Sequence, residues 1–221
     1  MELGRRAAGI GALADDTRRA LYEYVVGQRE PVSRERAATA VDLPLHRASF
    51  HLDRLVAEGL LEVEYRRLSG RTGPGAGRPS KLYRRAAAEI AVSLPERRYD
   101  LVGDILAAAV TRATGGAALE RALDECAREE GLAVGTEGAE VGDSLEALAE
   151  VLAGQGYEPR LDEEQVVLGN CPFDALARRH TELVCGLNRS FVQGVADGLR
   201  CGATARLDPA PDRCCVTARS E

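Results

Sequence analysis

The sequence predicts an α+β protein in which an N-terminal winged helix-turn-helix is followed by a smaller α+β domain. Three observations lead to this prediction. Helical patterns followed by a strand hairpin occupy the first 90 residues, the balance of charge reverses near residue 88, and most cysteines lie near the C-terminus. We therefore expect one domain over residues 1–90 and a second over residues 91–221.

Caps and apolar periodicity predict three helices in the first domain. Asp15 or Asp16 can cap the first helix, and Ser33 can cap a short second one, because their side chains accept from free backbone N–H groups. Pro44 suits the first turn of the third helix, whose apolar stripe runs to Gly59. A tight turn joins the last two helices, which predicts a helix-turn-helix.

A strand hairpin is predicted directly after the third helix. Residues 60–66 alternate apolar and charged side chains, and residues 81–84 can return as a second strand. The intervening loop, residues 69–80, is too rich in Gly and Pro for regular structure. This hairpin is the wing, and its positive residues are Arg66, Arg67, Arg71, Arg78, Lys81, Arg84 and Arg85.

The third helix and the wing together predict binding to double-stranded DNA. Side chains near the start of a recognition helix reach base edges in the major groove, and arginines of a wing suit phosphates or the minor groove. An amphipathic helix also carries outward polar residues without any such role, but the joint pattern favours a nucleic-acid binder. The candidate DNA-binding residues are His46, Arg47, Ser49, Phe50, Arg54, Arg66, Arg71, Arg78 and Lys81, with Arg47 the foremost candidate for base contact.

The charge distribution indicates that the two domains have different functions. Residues 1–88 carry a net charge of +5 and the remainder −11, so the overall charge of −6 hides a basic half. The basic half suits phosphate contact, and the acidic half should face away from DNA. There is neither an apolar run long enough to span a bilayer nor a secretory signal, so we expect a cytoplasmic protein without a membrane partner.

The second domain is predicted to mix helices and hairpins. Helical patterns cover residues 96–113, 117–134, 141–154 and 172–198, with Gly115–Gly116 and Gly135–Gly138 as breaks, and hairpins are expected at 157–168 and 204–218. Five of the six cysteines fall in the last 51 residues. Because a cytosolic protein keeps its thiols reduced, metal binding, redox chemistry or packing explains them better than structural disulfides do.

Two segments resemble known families. HLDRLVAEGLLE and GRPSKLYRR are similar to the ArsR-type winged-helix regulators, over residues 13–85. Over residues 157–218, the runs Asn170-Cys171-Pro172-Phe173, Glu182-Leu183-Val184-Cys185 and Asp212-Arg213-Cys214 resemble the SufR-like repressors, which sense iron–sulfur clusters and control cluster-assembly operons. That resemblance implies that Cys171, Cys185 and Cys214 bind a cluster.

From the residues alone, the cysteines are compatible with several kinds of site. Thiolates select zinc, copper(I) or iron–sulfur clusters, and the spacing does not choose among them, so zinc remains an alternative. Cys171, at a predicted helix start, is a candidate thiolate. Neighbours in a strand face opposite sides, so one of Cys214 and Cys215 is predicted to be a spare, and the resemblance implies that it is Cys215. Cys126 is expected in the core, and His180 is either a fourth ligand or a surface residue.

The sequence therefore predicts a homodimeric transcriptional repressor that is not an enzyme. It would bind an inverted-repeat operator, and the helix over residues 96–113 is the candidate dimer surface. One rival keeps the DNA-binding output but takes thiol oxidation, another metal or a small ligand as its input. The other rival is a cysteine-dependent enzyme with Cys185 or Cys171 as nucleophile, which the absence of a convincing Cys/His pairing or oxyanion loop disfavours.

Overall fold

The computed structural model describes residues 2–67 and 79–220, and the chain divides into two compact units, residues 1–92 and 93–221. A helical unit with a small sheet precedes a mixed helix-and-sheet unit, which confirms the predicted α+β class. The second unit is the larger one, so the prediction of a smaller second domain was wrong. Arg71 and Arg78, two candidate DNA-binding residues, lie outside the described residues.

The first unit has the winged helix-turn-helix arrangement. Asp15 and Ser33 cap α2 and α3, accepting hydrogen bonds from the backbone N–H groups of Arg18 and Arg36. The three strands form an antiparallel sheet in the order β1-β3-β2. The elements are α1 (Glu2–Ala12), α2 (Asp16–Val26), β1 (Val32–Ser33), α3 (Arg34–Ala40), α4 (Leu45–Ala57), β2 (Leu61–Arg66) and β3 (Ser80–Arg85).

Helix α1 was missed in the sequence. Its three glycines lower helix propensity, which hid its apolar face. The helix ends by burying Ala12 in the core of the first unit, where Leu21, Leu52 and Leu55 are fully buried. Because Ala48, Leu52 and Leu55 face this core, the opposite face of α4 is left open to solvent.

The second unit places a long helix against an antiparallel sheet. Its strands have the order β4-β5-β7-β6, and α9 packs on β6 and β7. The elements are α5 (Tyr99–Thr114), α6 (Leu119–Glu137), a 3₁₀ turn (Ala139–Val141), α7 (Leu145–Ala153), β4 (Pro159–Asp162), β5 (Gln165–Leu168), α8 (Asp174–Ala177), α9 (Thr181–Leu199), β6 (Ala203–Leu207) and β7 (Val216–Ser220). The single helix predicted over residues 172–198 is thus divided into α8 and α9.

Helices α6 and α9 cross in unusually close contact through four glycines. A Cβ built on Gly131 would lie 2.1 Å from the Phe191 carbonyl oxygen, and one on Gly194 would lie 2.2 Å from the Arg128 carbonyl oxygen. Gly135 and Gly198 are similarly close to the opposite backbone. The predicted helix end at residue 134 was therefore wrong, because Gly135 belongs to this crossing and α6 continues to Glu137.

Candidate DNA interface and cysteine site

The start of α4 presents an open surface made of candidate DNA-binding residues. His46 and Arg47 are exposed, and Phe50 exposes 66% of its surface although it is aromatic. Ser49 is half-buried, and its hydroxyl donates to the Leu45 carbonyl at 2.8 Å within the same helix. The face that points away from the core thus offers a cation, an imidazole and an aromatic ring for contact with a partner.

The other described candidates form ion pairs within the protein. The Arg54 guanidinium lies 2.5 Å from the Glu58 carboxylate, and that of Arg66 lies 3.4 Å from Glu30. Lys81 pairs with Asp53. The Arg66–Glu30 pair is exposed and such pairs contribute little stability, so Arg66 can exchange this carboxylate for phosphate at small cost.

Asp53 connects the recognition helix α4 to the wing strand β3 through hydrogen bonds. Its carboxylate accepts hydrogen bonds from the Lys81 ammonium and, at 2.9 Å, from the Tyr83 hydroxyl. Burial tends to raise the pKa of Asp53, but hydrogen bonds from Lys81 and Tyr83 lower it below its usual range. Burial and the bond to Asp53 raise the pKa of Tyr83 to about 12. Lys81 and Asp53 thus position α4 relative to β3, a role that the sequence did not suggest.

Arg47→Ala is expected to relax base preference. If Arg47 contacts a base edge, its loss costs about 1–3 kcal/mol on the preferred DNA and much less on random DNA. Fluorescence anisotropy on a sequence selected from a random pool, and on a shuffled version of it, measures both effects. Arg128→Ala is the matched control, since it removes one charge from α6 in the acidic unit. An equal loss on both DNAs for Arg47→Ala would contradict base contact.

The fold brings four of the six cysteines to one end of the second unit. Cys171 lies between β5 and α8, and Cys185 is in the second turn of α9. Cys214 and Cys215 immediately precede β7. The Cys214 backbone N–H donates to the Leu168 carbonyl at 2.8 Å, which holds this pair beside the end of β5.

The four sulfurs are arranged as two pairs. Cys185 and Cys215 form a disulfide, and the Cys171 and Cys214 side chains are hydrogen-bonded to each other. One expectation is corrected here, namely that the cysteines form no structural disulfide, whereas the prediction that Cys215 is not a metal ligand stays a prediction. The strand-alternation argument does not apply directly, because β7 begins only at Val216, and Cys215 bonds to Cys185 of α9 from the segment before the strand.

Within the second pair, the pKa values of the two thiols shift in opposite directions. The hydrogen bond from Cys171 lowers the pKa of Cys214, and further N–H donors act in the same direction. The same bond, together with burial, raises the pKa of Cys171. The expected lowering of the Cys171 pKa by a helix start is not found, because its partner and its burial outweigh the short α8, and its role as a ligand stays a prediction.

A buried polar pair supports Cys214 from α9. The Asn188 side-chain amide is fully buried and donates to the Cys214 sulfur at 3.2 Å. Its Oδ1 atom accepts from the Tyr157 hydroxyl at 2.5 Å, which orients the NH₂ group toward sulfur. Sequence reasoning missed both residues. The available signal was an asparagine on the apolar stripe of α9, three residues after Cys185.

The loop that carries Cys171 is anchored by Arg97 and Asn170. Arg97 donates to the Cys171 carbonyl at 3.0 Å, and Asn170 donates to the Gly156 carbonyl at 2.6 Å. A surface pocket lined by Arg97, Cys171, Asp174 and Arg213, among others, opens onto this loop. The half-buried Cys171 is therefore held rigidly while solvent can still approach it.

The remaining candidates lie apart from the two pairs. Cys126 is buried in the core of the second unit, which confirms that prediction. Cys201 is half-buried after α9, and His180 is exposed at the start of that helix. With the disulfide closed, no three His, Cys, Asp or Glu side chains in residues 2–67 and 79–220 are arranged to hold a metal ion.

Comparison with known proteins supports the assignment of the first unit. A family model described as a helix-turn-helix domain matches residues 13–64, which extend from the start of α2 to the fourth residue of β2. No curated protein and no solved structure matches the chain. The chain thus carries a helix-turn-helix domain of the winged-helix type, which supports a DNA-binding transcription regulator. Among the helices in the described part, none has the length and apolar character needed to cross a bilayer.

Proposed function

We propose that this regulator is a homodimeric repressor whose affinity for an inverted-repeat operator is set by an iron–sulfur cluster on Cys171, Cys185 and Cys214. The observation that carries the proposal is the gathering of these three cysteines from three separate elements in a unit attached to a helix-turn-helix. A ligand held by all three would tie β5, α9 and β7 together. Its loss would release that restraint.

The donor set suits a thiolate-bound metal group once the disulfide is reduced. Cys171 and Cys214 already lie in hydrogen-bonding contact, and Cys185 is bonded to the residue next to Cys214. Hydrogen bonds from Asn188 and backbone N–H groups to the Cys214 sulfur are the kind that stabilise metal-bound thiolates. When bound, a cluster would supply a centre whose occupancy depends on iron supply and oxidants. Zinc is the alternative occupant of the same thiols.

The dimer is proposed from the requirements of operator binding. Two recognition helices must lie about 34 Å apart to enter successive major grooves. Helix α5, the expected dimer surface, exposes Tyr99 and Val110, whose apolar areas a second copy could cover. A cluster that favours one dimer arrangement over another would thereby change operator affinity.

Protein purified and reconstituted without oxygen tests the cluster directly. We expect a broad visible absorption band together with bound iron and sulfide, because thiolate-ligated clusters absorb in this range. Cys171→Ser, Cys185→Ser and Cys214→Ser should each lose the band and the cluster-dependent change in DNA affinity. Cys201→Ser is the control and should keep both. A colourless, iron-free wild type would contradict the cluster.

A further inference from the structure

We propose that Cys185 and Cys215 are a reversible thiol–disulfide pair, and that closing this disulfide withdraws Cys185 from the metal-binding set. Cys215 thereby becomes a functional residue rather than a spare one. The withdrawal rests on the proposed cluster function, whereas formation of the disulfide does not. The site would then have two exclusive states, one with a cluster and one with a disulfide.

The placement of the two residues supports this pairing. Cys185 is 7% exposed on α9, whereas Cys215 is half-buried in the segment before β7. The Cys215 carbonyl accepts from the Asp208 backbone N–H at 2.8 Å, which fixes the turn that aims its side chain at α9. The disulfide therefore joins two elements that the fold already holds in contact, without demanding movement of either.

The contacts of Cys171 and Cys214 explain why the disulfide forms between Cys185 and Cys215. The Cys214 sulfur accepts a hydrogen bond from the Asn188 amide and lies beside Cys171, so it already has partners other than Cys185. Cys215, the next residue, presents its sulfur to Cys185. Cys214 and Cys215 thus contact different partners, although both lie directly before β7.

The chemistry requires an oxidant, for which a peroxide is sufficient. The more accessible Cys215 thiol attacks hydrogen peroxide, forming a sulfenic acid and releasing one water. The Cys185 thiolate then attacks that sulfur, forming the S–S bond and releasing hydroxide, which takes up the thiol proton as a second water. The two thiols are oxidised and the peroxide is reduced, and a dithiol reductant reverses the change by thiol–disulfide exchange.

Peptide mapping of the full-length protein tests the pairing. Protein reduced without oxygen and then treated with hydrogen peroxide should lose two hydrogens in intact mass and yield a linked Cys185–Cys215 peptide. A dithiol reductant should restore both thiols. Cys215→Ser should yield no linked peptide containing Cys185, whereas Cys201→Ser, the matched control, should behave as wild type. A link that uses Cys171 or Cys214 instead, or no link at all, would overturn the proposal.

Cluster loading tests the exclusion separately. Wild type with the disulfide closed should take up no iron and sulfide, and it should regain full uptake after dithiol reduction. Reduced Cys215→Ser should load like reduced wild type, because Cys215 is not a ligand. If oxidised wild type with a verified Cys185–Cys215 link still loads fully, the exclusion is wrong. If reduced wild type never loads but the link forms reversibly, the cluster function fails and the thiol pair stands.

Discussion

Gly194→Ala is expected to destabilise the second unit by about 3 kcal/mol or more. The added methyl group would lie 2.2 Å from the Arg128 carbonyl oxygen and 2.8 Å from the Leu132 backbone nitrogen. Overpacking typically costs about 1–3 kcal/mol where side chains can adjust. Here the opposing atoms belong to helix backbone, so α6 and α9 would have to separate along their whole crossing.

Gly186→Ala provides a control on the same helix. No atom lies within 4 Å of a Cβ built at Gly186, and alanine is favoured over glycine in a helix by about 1 kcal/mol. This variant should be as stable as wild type or slightly more stable. Urea denaturation followed by circular dichroism, with hydrogen exchange of α6 and α9 peptides, measures the difference. Wild-type stability of Gly194→Ala would show that the close crossing does not exist.

Asn188→Ala is expected to be the second strongly destabilising change in the reduced, metal-free protein. It removes the acceptor of the Tyr157 hydroxyl and a donor to Cys214, both in the core. Leaving a buried polar group without a partner costs about 1–3 kcal/mol, and the cavity adds to that. Burial raises the pKa of Tyr157 well above its usual value, so its hydroxyl stays a hydrogen-bond donor that would then lack its acceptor.

A double-mutant cycle isolates the contribution of this hydrogen bond. Tyr157→Phe alone leaves the Asn188 oxygen unsatisfied, whereas the double variant Tyr157→Phe with Asn188→Ala removes both partners. The double variant should therefore be more stable than the sum of the single effects by about 0.5–3 kcal/mol. Strict additivity in urea denaturation would mean that the two side chains do not interact.

Local signals accounted for most elements of the fold. Capping residues and apolar periodicity predicted α2 to α4. These signals lie within the sequence of each helix itself, as the caps Asp15 and Ser33 do. Helix α1 and the end of α6 were missed because their glycines oppose helix formation locally. Packing of α6 against α9 outweighs that preference at Gly131 and Gly135, and packing partners cannot be read from one segment.

Part of the cysteine site could likewise be predicted from the sequence, and part could not. The resemblance to SufR-like repressors implied Cys171, Cys185 and Cys214 as a group, and the fold brings all of them to one end of the second unit. No local signal indicated that Cys215 would bond to Cys185, because that pairing depends on where β7 begins. Because β7 begins two residues later than predicted, strand alternation does not apply to Cys214 and Cys215. The support from Tyr157 and Asn188 is a tertiary contact across 31 residues and leaves little trace in sequence.

The central claim is that cluster occupancy of the second unit changes the affinity of the helix-turn-helix for a specific inverted repeat. One measurement tests it most directly: anaerobic titration of a selected inverted-repeat DNA, and of a shuffled control, with cluster-loaded and cluster-free wild type at physiological salt. Specific sites are typically bound about 10³-fold or more tightly than random DNA, and we expect that preference in one of the two forms only. Equal affinities of the loaded and empty forms for both DNAs would contradict the account.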